Sequence, residues 1–220
     1  MNKIVQMQPQ PHPIHPLRSL KQLATKADCL ALRYDQIDKL RDTLDTLGEE
    51  LETTTNRERI DKRIAAAKTT ATLNERDQTL LAWCEAAVAR FDPDDAYEID
   101  DDEKYVLKPS AVAPRVAVLV GGFPNGSPPD PAVYLRVMME HVCNDKALSL
   151  IELDAAIWEA TGTLKFTPAV SELMVIVKRQ HQQWHERLFA IHNIAEASSW
   201  TLMDIDELQA EAHARVQQAR

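Results

Sequence analysis

A repeat of apolar residues between Leu23 and Leu51 constrains the fold more than any other feature of this sequence. The apolar positions recur in steps of three and four residues, which is the period of one α-helical face, and an additional three-residue step follows Ile37. The side chains between them alternate in charge, as on a solvated helix face. This apolar seam comprises Leu23, Ala27, Leu30, Tyr34, Ile37, Leu40, Leu44, Leu47 and Leu51.

A helix with such a seam needs a partner, because one amphipathic helix cannot hide its apolar face. The segment Glu52–Asn56 interrupts the pattern, and two further helices are predicted, one from Ile60 to Ala71 and one from a Thr72–Glu75 capping box to Phe91. Residues 17–91 are therefore predicted to form a helical hairpin or coiled-coil-like bundle. A second copy of the chain would also cover the seam, so we assign a candidate oligomerisation seam to Ile37, Leu40, Leu44, Leu47 and Leu51.

The composition favours helix throughout the chain. Hydrophobic residues make up 45%, enough for a buried core, whereas there are only 5 glycines and the aromatic share of 5% argues against a β-sandwich or barrel. The predicted class is all-α, with the N-terminal hairpin or coiled-coil-like bundle joined by an acidic linker to a C-terminal multi-helix domain.

The excess negative charge is concentrated in one short tract. The formal net charge is −9, and residues 92–103 contribute eight acidic side chains and no basic one. The parts before and after the tract are close to neutral, so neither has the field of a strong nucleic-acid binder. Since like charges at this density repel and stay solvated, residues 92–110 are predicted to be an acidic linker between two domains.

The start of the chain and its cysteines indicate where the protein works. Residues 1–16, rich in proline, glutamine and histidine, are predicted to be a disordered tail without the apolar core of a signal peptide. The longest apolar run, Val116 to Phe123, is too short to span a bilayer. Cys29, Cys84 and Cys143 are isolated, which is typical of a reducing compartment. We therefore predict a cytoplasmic protein.

Residues 111–220 carry well-marked helix boundaries and form the predicted C-terminal helical domain. Asp130 before Pro131 is typical of a helix start, Ser149 with Glu152 forms a capping box, and Gly162 is placed to end that helix. Thr167 and Pro168 are predicted to start a long helix that breaks at Ser198–Ser199. The run Val116 to Val120 fits either a helix or a buried strand.

We find no pattern of residues typical of catalysis or of a bound cofactor. Gly121 and Gly122 are followed by Phe-Pro rather than by the Lys and Ser/Thr of a nucleotide loop, so a turn is the better interpretation. His181 and His185 have a metal-capable spacing but lack further ligands. A candidate interaction face, able to contact a partner or nucleic acid, comprises Lys178, Arg179, Trp184 and Arg187. The alternative is an ordinary helix with Trp184 in the core.

Three segments of the C-terminal half suggest a family. Val118–Pro124 ends in Phe-Pro, Asp130–Tyr134 opens a helix, and Lys165–Leu173 contains Phe-Thr-Pro followed by Glu-Leu. This order, covering about residues 114–180, resembles small phage or prophage replication proteins and is similar in particular to ATPase-free replicative helicase loaders. In this family the matching positions Phe123, Tyr134, Phe166 and Pro168 would specify the fold, and the implied partner is a replicative helicase.

The prediction from the sequence is a non-enzymatic phage or prophage DNA-replication accessory protein that binds a replicative helicase or initiator. Two alternatives stay open: an oligomeric coiled-coil scaffold, and a DNA-binding regulator that reads a groove with a C-terminal helix.

Overall fold

A computed structural model describes residues 16–53, 57–123, 126, 128–145 and 148–218. The chain is all-α, as predicted, with one small two-stranded sheet among the described residues. The helices are α1 (Pro16–Asp38), α2 (Leu40–Thr53), α3 (Arg57–Ala71), α4 (Glu75–Phe91), α5 (Pro109–Gly121), α6 (Pro131–Cys143), α7 (Leu150–Thr163) and α8 (Val170–Gln218). Strands β1 (Tyr97–Ile99) and β2 (Tyr105–Leu107) lie between α4 and α5. Of the predicted tail, residues 1–15 lie outside the described residues, and Pro16 begins α1.

Helices α1 to α4 and α8 form a three-walled bundle. The pair α1–α2 runs alongside α8 in the same direction, since Asp28 pairs with Arg187 and Gly48 lies beside Leu208. The pair α3–α4 returns in the opposite direction: Ser198 Oγ, near the middle of α8, donates to the carbonyl of Ala71 at the end of α3 (2.7 Å). The predicted hairpin is therefore present, and α8 is its third wall.

The apolar seam is buried inside this bundle, which corrects its assignment as an oligomerisation surface. Ile37 is fully buried in a cluster with residues of α4 and α8. Leu44 and Leu47 are buried in another cluster, with residues of α3 and Ile205 of α8, and Leu40 and Leu51 pack against it. The sequence pattern correctly indicated a covered stripe, but the cover belongs to the same chain. The helix also breaks at Lys39, just after the additional three-residue step.

Helix α8 continues for 49 residues, so the break predicted at Ser198–Ser199 is wrong. Serine lowers helix propensity because its hydroxyl competes for backbone hydrogen bonds. Here the Ser198 hydroxyl is buried and is bonded to α3 instead, and the tertiary contact overrides the local preference. The end predicted for α7 at Gly162 lies within one residue of its observed end at Thr163.

The acidic tract is folded, which corrects the prediction of a solvated linker over residues 92–110. After a turn of 3₁₀-helix at Asp94–Ala96, β1 and β2 pair antiparallel, and Leu107 at the end of β2 is fully buried. Four of the acids, Asp100 to Glu103, occupy the turn between the strands. There, one Asp100 carboxylate oxygen accepts from the N–H groups of Asp102 (3.0 Å) and Lys104 (2.8 Å). Hydrogen bonding to the backbone thus accommodates charges that we expected to keep the segment unfolded.

Helices α5 to α7 pack with the β-hairpin and the first part of α8 around a separate cluster of buried residues. Val116 to Val120 is helical, within α5. The predicted N-cap at Asp130 and the Ser149–Glu152 capping box are both present. The capping box of α4 is formed by Asn74 and Asp77, not by Thr72 and Glu75 as predicted, because the chain turns after α3 before α4 begins.

Candidate partner-binding surface

The four residues of the predicted interaction face are not on one surface. Lys178 is exposed and Arg179 pairs with Glu159 of α7, but the Trp184 side chain is only 2% exposed and belongs to the bundle core. Arg187 lies over the Trp184 ring and donates both Nε (2.6 Å) and Nη2 (3.2 Å) to the Asp28 carboxylate. Because both arginines already pair with acidic side chains of the chain, this cluster is poorly suited to bind the phosphate groups of a nucleic acid.

A long groove between α2 and the C-terminal part of α8 has strongly acidic walls. Its floor contains Leu44, Gly48 and Leu208. Five carboxylates line it, against the two guanidinium groups of Arg41 and Arg215. They belong to Asp45 and Glu49 of α2 and to Asp204, Glu207 and Glu211 of α8. A groove of one charge sign raises the local concentration of oppositely charged groups and steers their approach.

Two large exposed apolar side chains of α8 precede acids of this groove by one helical turn, Trp200 before Asp204 and Met203 before Glu207. Trp200 is 52% exposed and precedes Asp204 by one helical turn, so the two share a stripe of α8. Met203, 50% exposed, lies beside that stripe. The Trp200 indole N–H donates to Glu196 Oε1 (3.1 Å), which fixes the ring against the helix while its face stays open to solvent. We call Trp200, Met203 and the lining of this groove the α2/α8 surface.

The family-pattern residues come together in the fold. Phe123 is buried in the α5–α7 core, and the Tyr134 hydroxyl donates to the carbonyl of Pro168 (2.7 Å). Phe166 is exposed but lies against Gly126, whose carbonyl accepts from the Thr167 hydroxyl (2.7 Å). These contacts join the end of α5, the start of α6 and the approach to α8, so all four residues have structural roles.

A buried polar junction joins the end of α4 to the start of α7. One carboxylate oxygen of Asp92, the C-cap of α4, accepts from the Tyr97 hydroxyl (2.5 Å) and from the first N–H of α7, that of Leu150 (3.0 Å). Glu152, only 2% exposed, accepts from the Ser149 N–H (2.9 Å), and its other oxygen lies 3.2 Å from His181 Nδ1. These contacts account for the carboxylates as caps of the α7 N-terminus.

Burial has the largest effect on the acids of this junction. It raises the pKa of Asp92 even though Tyr97 and the Leu150 N–H act in the opposite direction. It also raises the pKa of Glu152 against the hydrogen bonds from Ser149 and the nearby His181. The pKa of Asp154 is raised in the same way, although Arg115 donates to its carboxylate (2.9 Å). The junction is thus sensitive to pH.

Comparison with known proteins assigns the chain to no family: no family description, curated protein or solved structure matches it. Among the described helices, none has both the length and the apolar character that crossing a membrane requires.

The α2/α8 surface was missed in the sequence because its apolar members lie off the periodic seam. Trp200 and Met203 fall between the buried positions Ala197, Thr201 and Ile205, so a search for core periodicity passes over them. A usable signal was present: an aromatic residue is followed within eleven positions by four acids, Asp204, Asp206, Glu207 and Glu211, with no base between them.

Proposed function

We propose that this chain is a non-enzymatic accessory protein that binds a protein partner through the α2/α8 surface. The partner segment carries lysine or arginine residues and an apolar anchor. The main observation is that exposed Trp200 and Met203 lie on α8 one helical turn before acids of a groove lined by five carboxylates. Exposed aromatics are enriched among residues that dominate binding energy, and complementary charge adds specificity and speed of association.

The finer proposal names the partner as a replicative helicase or initiator of phage or prophage DNA replication, in the cytoplasm. It rests on the resemblance of residues 114–180 to ATPase-free helicase loaders. The burial of Phe123, the hydrogen bond from Tyr134 to Pro168 and the packing of Phe166 against Gly126 agree with the fold-specifying role that this resemblance implies. The occupied arginines at 179 and 187 favour a protein partner over DNA.

The test is a binding titration of the full chain with the purified replicative helicase and initiator of the host, by calorimetry at several salt concentrations. We expect one of them to bind, and the affinity to fall as salt rises because the interface is charged. The double variant Trp200→Ser with Met203→Ser, and the double variant Glu207→Lys with Glu211→Lys, are each expected to weaken binding roughly tenfold or more.

The control is Val175→Ser, which removes an exposed apolar side chain (65%) from the same helix near its other end. It is expected to bind as the unmodified chain does. If neither protein binds, the replication assignment is wrong. If one binds and the variants bind as tightly as the control, the α2/α8 surface is not the contact.

A further inference from the structure

The acids that line the groove of the α2/α8 surface are not paired within the chain. Among the described residues, none of the five carboxylates makes an ion pair or a side-chain hydrogen bond. Their neighbours Glu50 and Asp206, by contrast, are paired with basic side chains of α3. The chain therefore pairs the acids that lie beside α3 and leaves those of the groove available to a partner.

The two arginines that line the groove lie at its ends. Helices α2 and α8 run in the same direction, and Gly48 lies beside Leu208. Arg41 comes about two helical turns before this contact on α2, and Arg215 comes about two turns after it on α8. The five acids lie between them, over about 10 Å of helix. A segment bound along the middle of the groove thus meets carboxylates on both walls.

Gly48 lies in the apolar floor of the groove, and nothing inside the chain requires a glycine there. A glycine in a helix interior costs about 1 kcal/mol relative to alanine. The φ angle of Gly48 is not positive, and an added Cβ would be 3.8 Å from Leu208 Cδ1, which is an ordinary contact. The missing side chain leaves the backbone of α2 open at the floor, where the backbone of a partner can approach closely.

This groove suits a helix better than an extended segment. An extended segment needs a strand edge to pair with its backbone N–H and C=O groups, and the two helices that form the groove offer none. A helix satisfies its own backbone and can present an apolar stripe with charged residues on both sides. On each wall, acids such as Asp45 and Glu49 are one turn apart, as are Lys or Arg residues at positions i and i+4 of a bound helix.

On the basis of the proposed function, we infer that the segment bound to the α2/α8 surface is a basic amphipathic α-helix packed against Gly48. Its apolar stripe covers Leu44, Gly48 and Leu208, and its Lys and Arg residues pair with the acids of α2 on one side and of α8 on the other. About three turns are sufficient to cover the acids and reach Trp200. Because so short a helix is marginal in water, the segment becomes helical as it binds.

The first experiment compares two synthetic peptides of leucine, alanine and lysine, each of about 18 residues, or five helical turns. Both have the same composition, but only one has its leucines and lysines at helical spacing; the other is permuted so that no helical face is apolar. Calorimetric titration of the full chain should give a dissociation constant about tenfold lower or more for the first peptide, and circular dichroism should show that its helicity rises on binding.

Two outcomes of this titration would overturn the inference. Equal affinities would show that the groove recognises charge alone, and no binding of either peptide would show that it does not accept a basic helix.

The second experiment fills the floor of the groove without changing any charge. Gly48→Leu places a side chain where the helix packs and should weaken binding of the amphipathic peptide about tenfold or more. Gly162→Leu is the matched control, since Gly162 is an exposed helical glycine of α7 where an added Cβ meets nothing within 4 Å. It should bind as the unmodified chain does, and circular dichroism checks that both variants fold. Equal affinities of the two variants would contradict packing against Gly48.

The inference and the proposed function fail in different ways. If Glu207→Lys with Glu211→Lys leaves binding of the helicase and the initiator unchanged, the proposed function fails, and the peptide titrations still decide whether the groove accepts a basic helix. If that double variant weakens binding of the partner and Gly48→Leu does not, the α2/α8 surface is the contact but the bound segment is not a helix in the groove.

Discussion

The three-walled bundle and the α5–α7 layer are both helical but are stabilised differently. In the bundle, long apolar side chains such as Leu47 and Trp184 fill the interior, and charged pairs such as Lys62–Glu58 lie outside in water. In the α5–α7 layer, the buried carboxyl of Glu152 and the half-buried carboxyl of Asp92 lie at the start of α7. The difference shows that apolar spacing describes the interior of the first region well, whereas the start of α7 in the second also depends on carboxylate caps, one of them from a residue distant in sequence.

The largest expected loss of stability comes from opening a cavity in the bundle. Leu47→Ala removes a fully buried side chain between α2, α3 and α8, and we expect it to lower the free energy of unfolding by about 3 kcal/mol. Urea denaturation followed by circular dichroism measures this change. Val175→Ala, on the exposed side of α8, is the control and should change stability by less than about 0.5 kcal/mol. Equal losses in the two variants would mean that Leu47 is not enclosed.

A smaller loss of stability is expected when a helix cap is removed from the α5–α7 layer. Ser149→Ala removes the hydroxyl that accepts from the Glu152 N–H at the start of α7, and should cost about 1 kcal/mol in the same urea measurement. Ser199→Ala, on the exposed side of α8, should cost nothing because alanine favours the helix interior. No loss in the Ser149 variant would show that Asp92 alone is sufficient to cap α7.

The smallest effect concerns pH. Because burial raises the pKa of Asp92, the folded protein keeps that proton at pH values where the unfolded chain has released it. The free energy of unfolding therefore falls as pH rises from about 4 through the raised pKa. An asparagine side chain in its place cannot ionise but can still accept the hydrogen bond from the Leu150 N–H. Relative to the unmodified chain, Asp92→Asn should therefore become more stable as pH rises from about 4 to about 7.

The measurement for this prediction is urea denaturation of both proteins at the two pH values. Asp45→Asn, an exposed acid on α2, is the control for changes in net charge. The stability of Asp92→Asn relative to the unmodified chain could instead stay constant or fall as pH rises. Asp92 would then be ionised at little cost in the folded protein, and the two regions would differ less.

The parts of this structure that could be predicted from sequence are those with local causes. The spacing from Leu23 to Leu51 predicted a covered stripe, and Ser149 with Glu152 predicted a helix start. The helix that covers this stripe could not be predicted, because its residue Ile205 lies far along the chain from the seam and no local sequence pattern connects the two. Likewise, nothing near Ser198 indicates the Ala71 carbonyl that keeps α8 continuous.

The β-hairpin was missed for a different reason. Its strands, Tyr97–Ile99 and Tyr105–Leu107, consist largely of β-prone residues, and this signal was available. The repulsion among the acids between the strands favours an unfolded linker, but the turn exposes those charges to solvent and so reduces the repulsion. For the α2/α8 surface, exposed residues such as Trp200 and Met203 fall outside the apolar periodicity, and the local signal that could have indicated it is the run of acids after Trp200.

The late position of α8 has a consequence for how the protein is made. Helix α8 extends for about 74 Å and follows in the chain every other described element that it covers. During synthesis the seam on α1 and α2 therefore leaves the ribosome well before its third wall exists. A nascent chain stopped before α8 would present Leu44 and Leu47 to solvent. Completion of the bundle must then wait until α8 itself has been translated, and products truncated before α8 would be prone to aggregate.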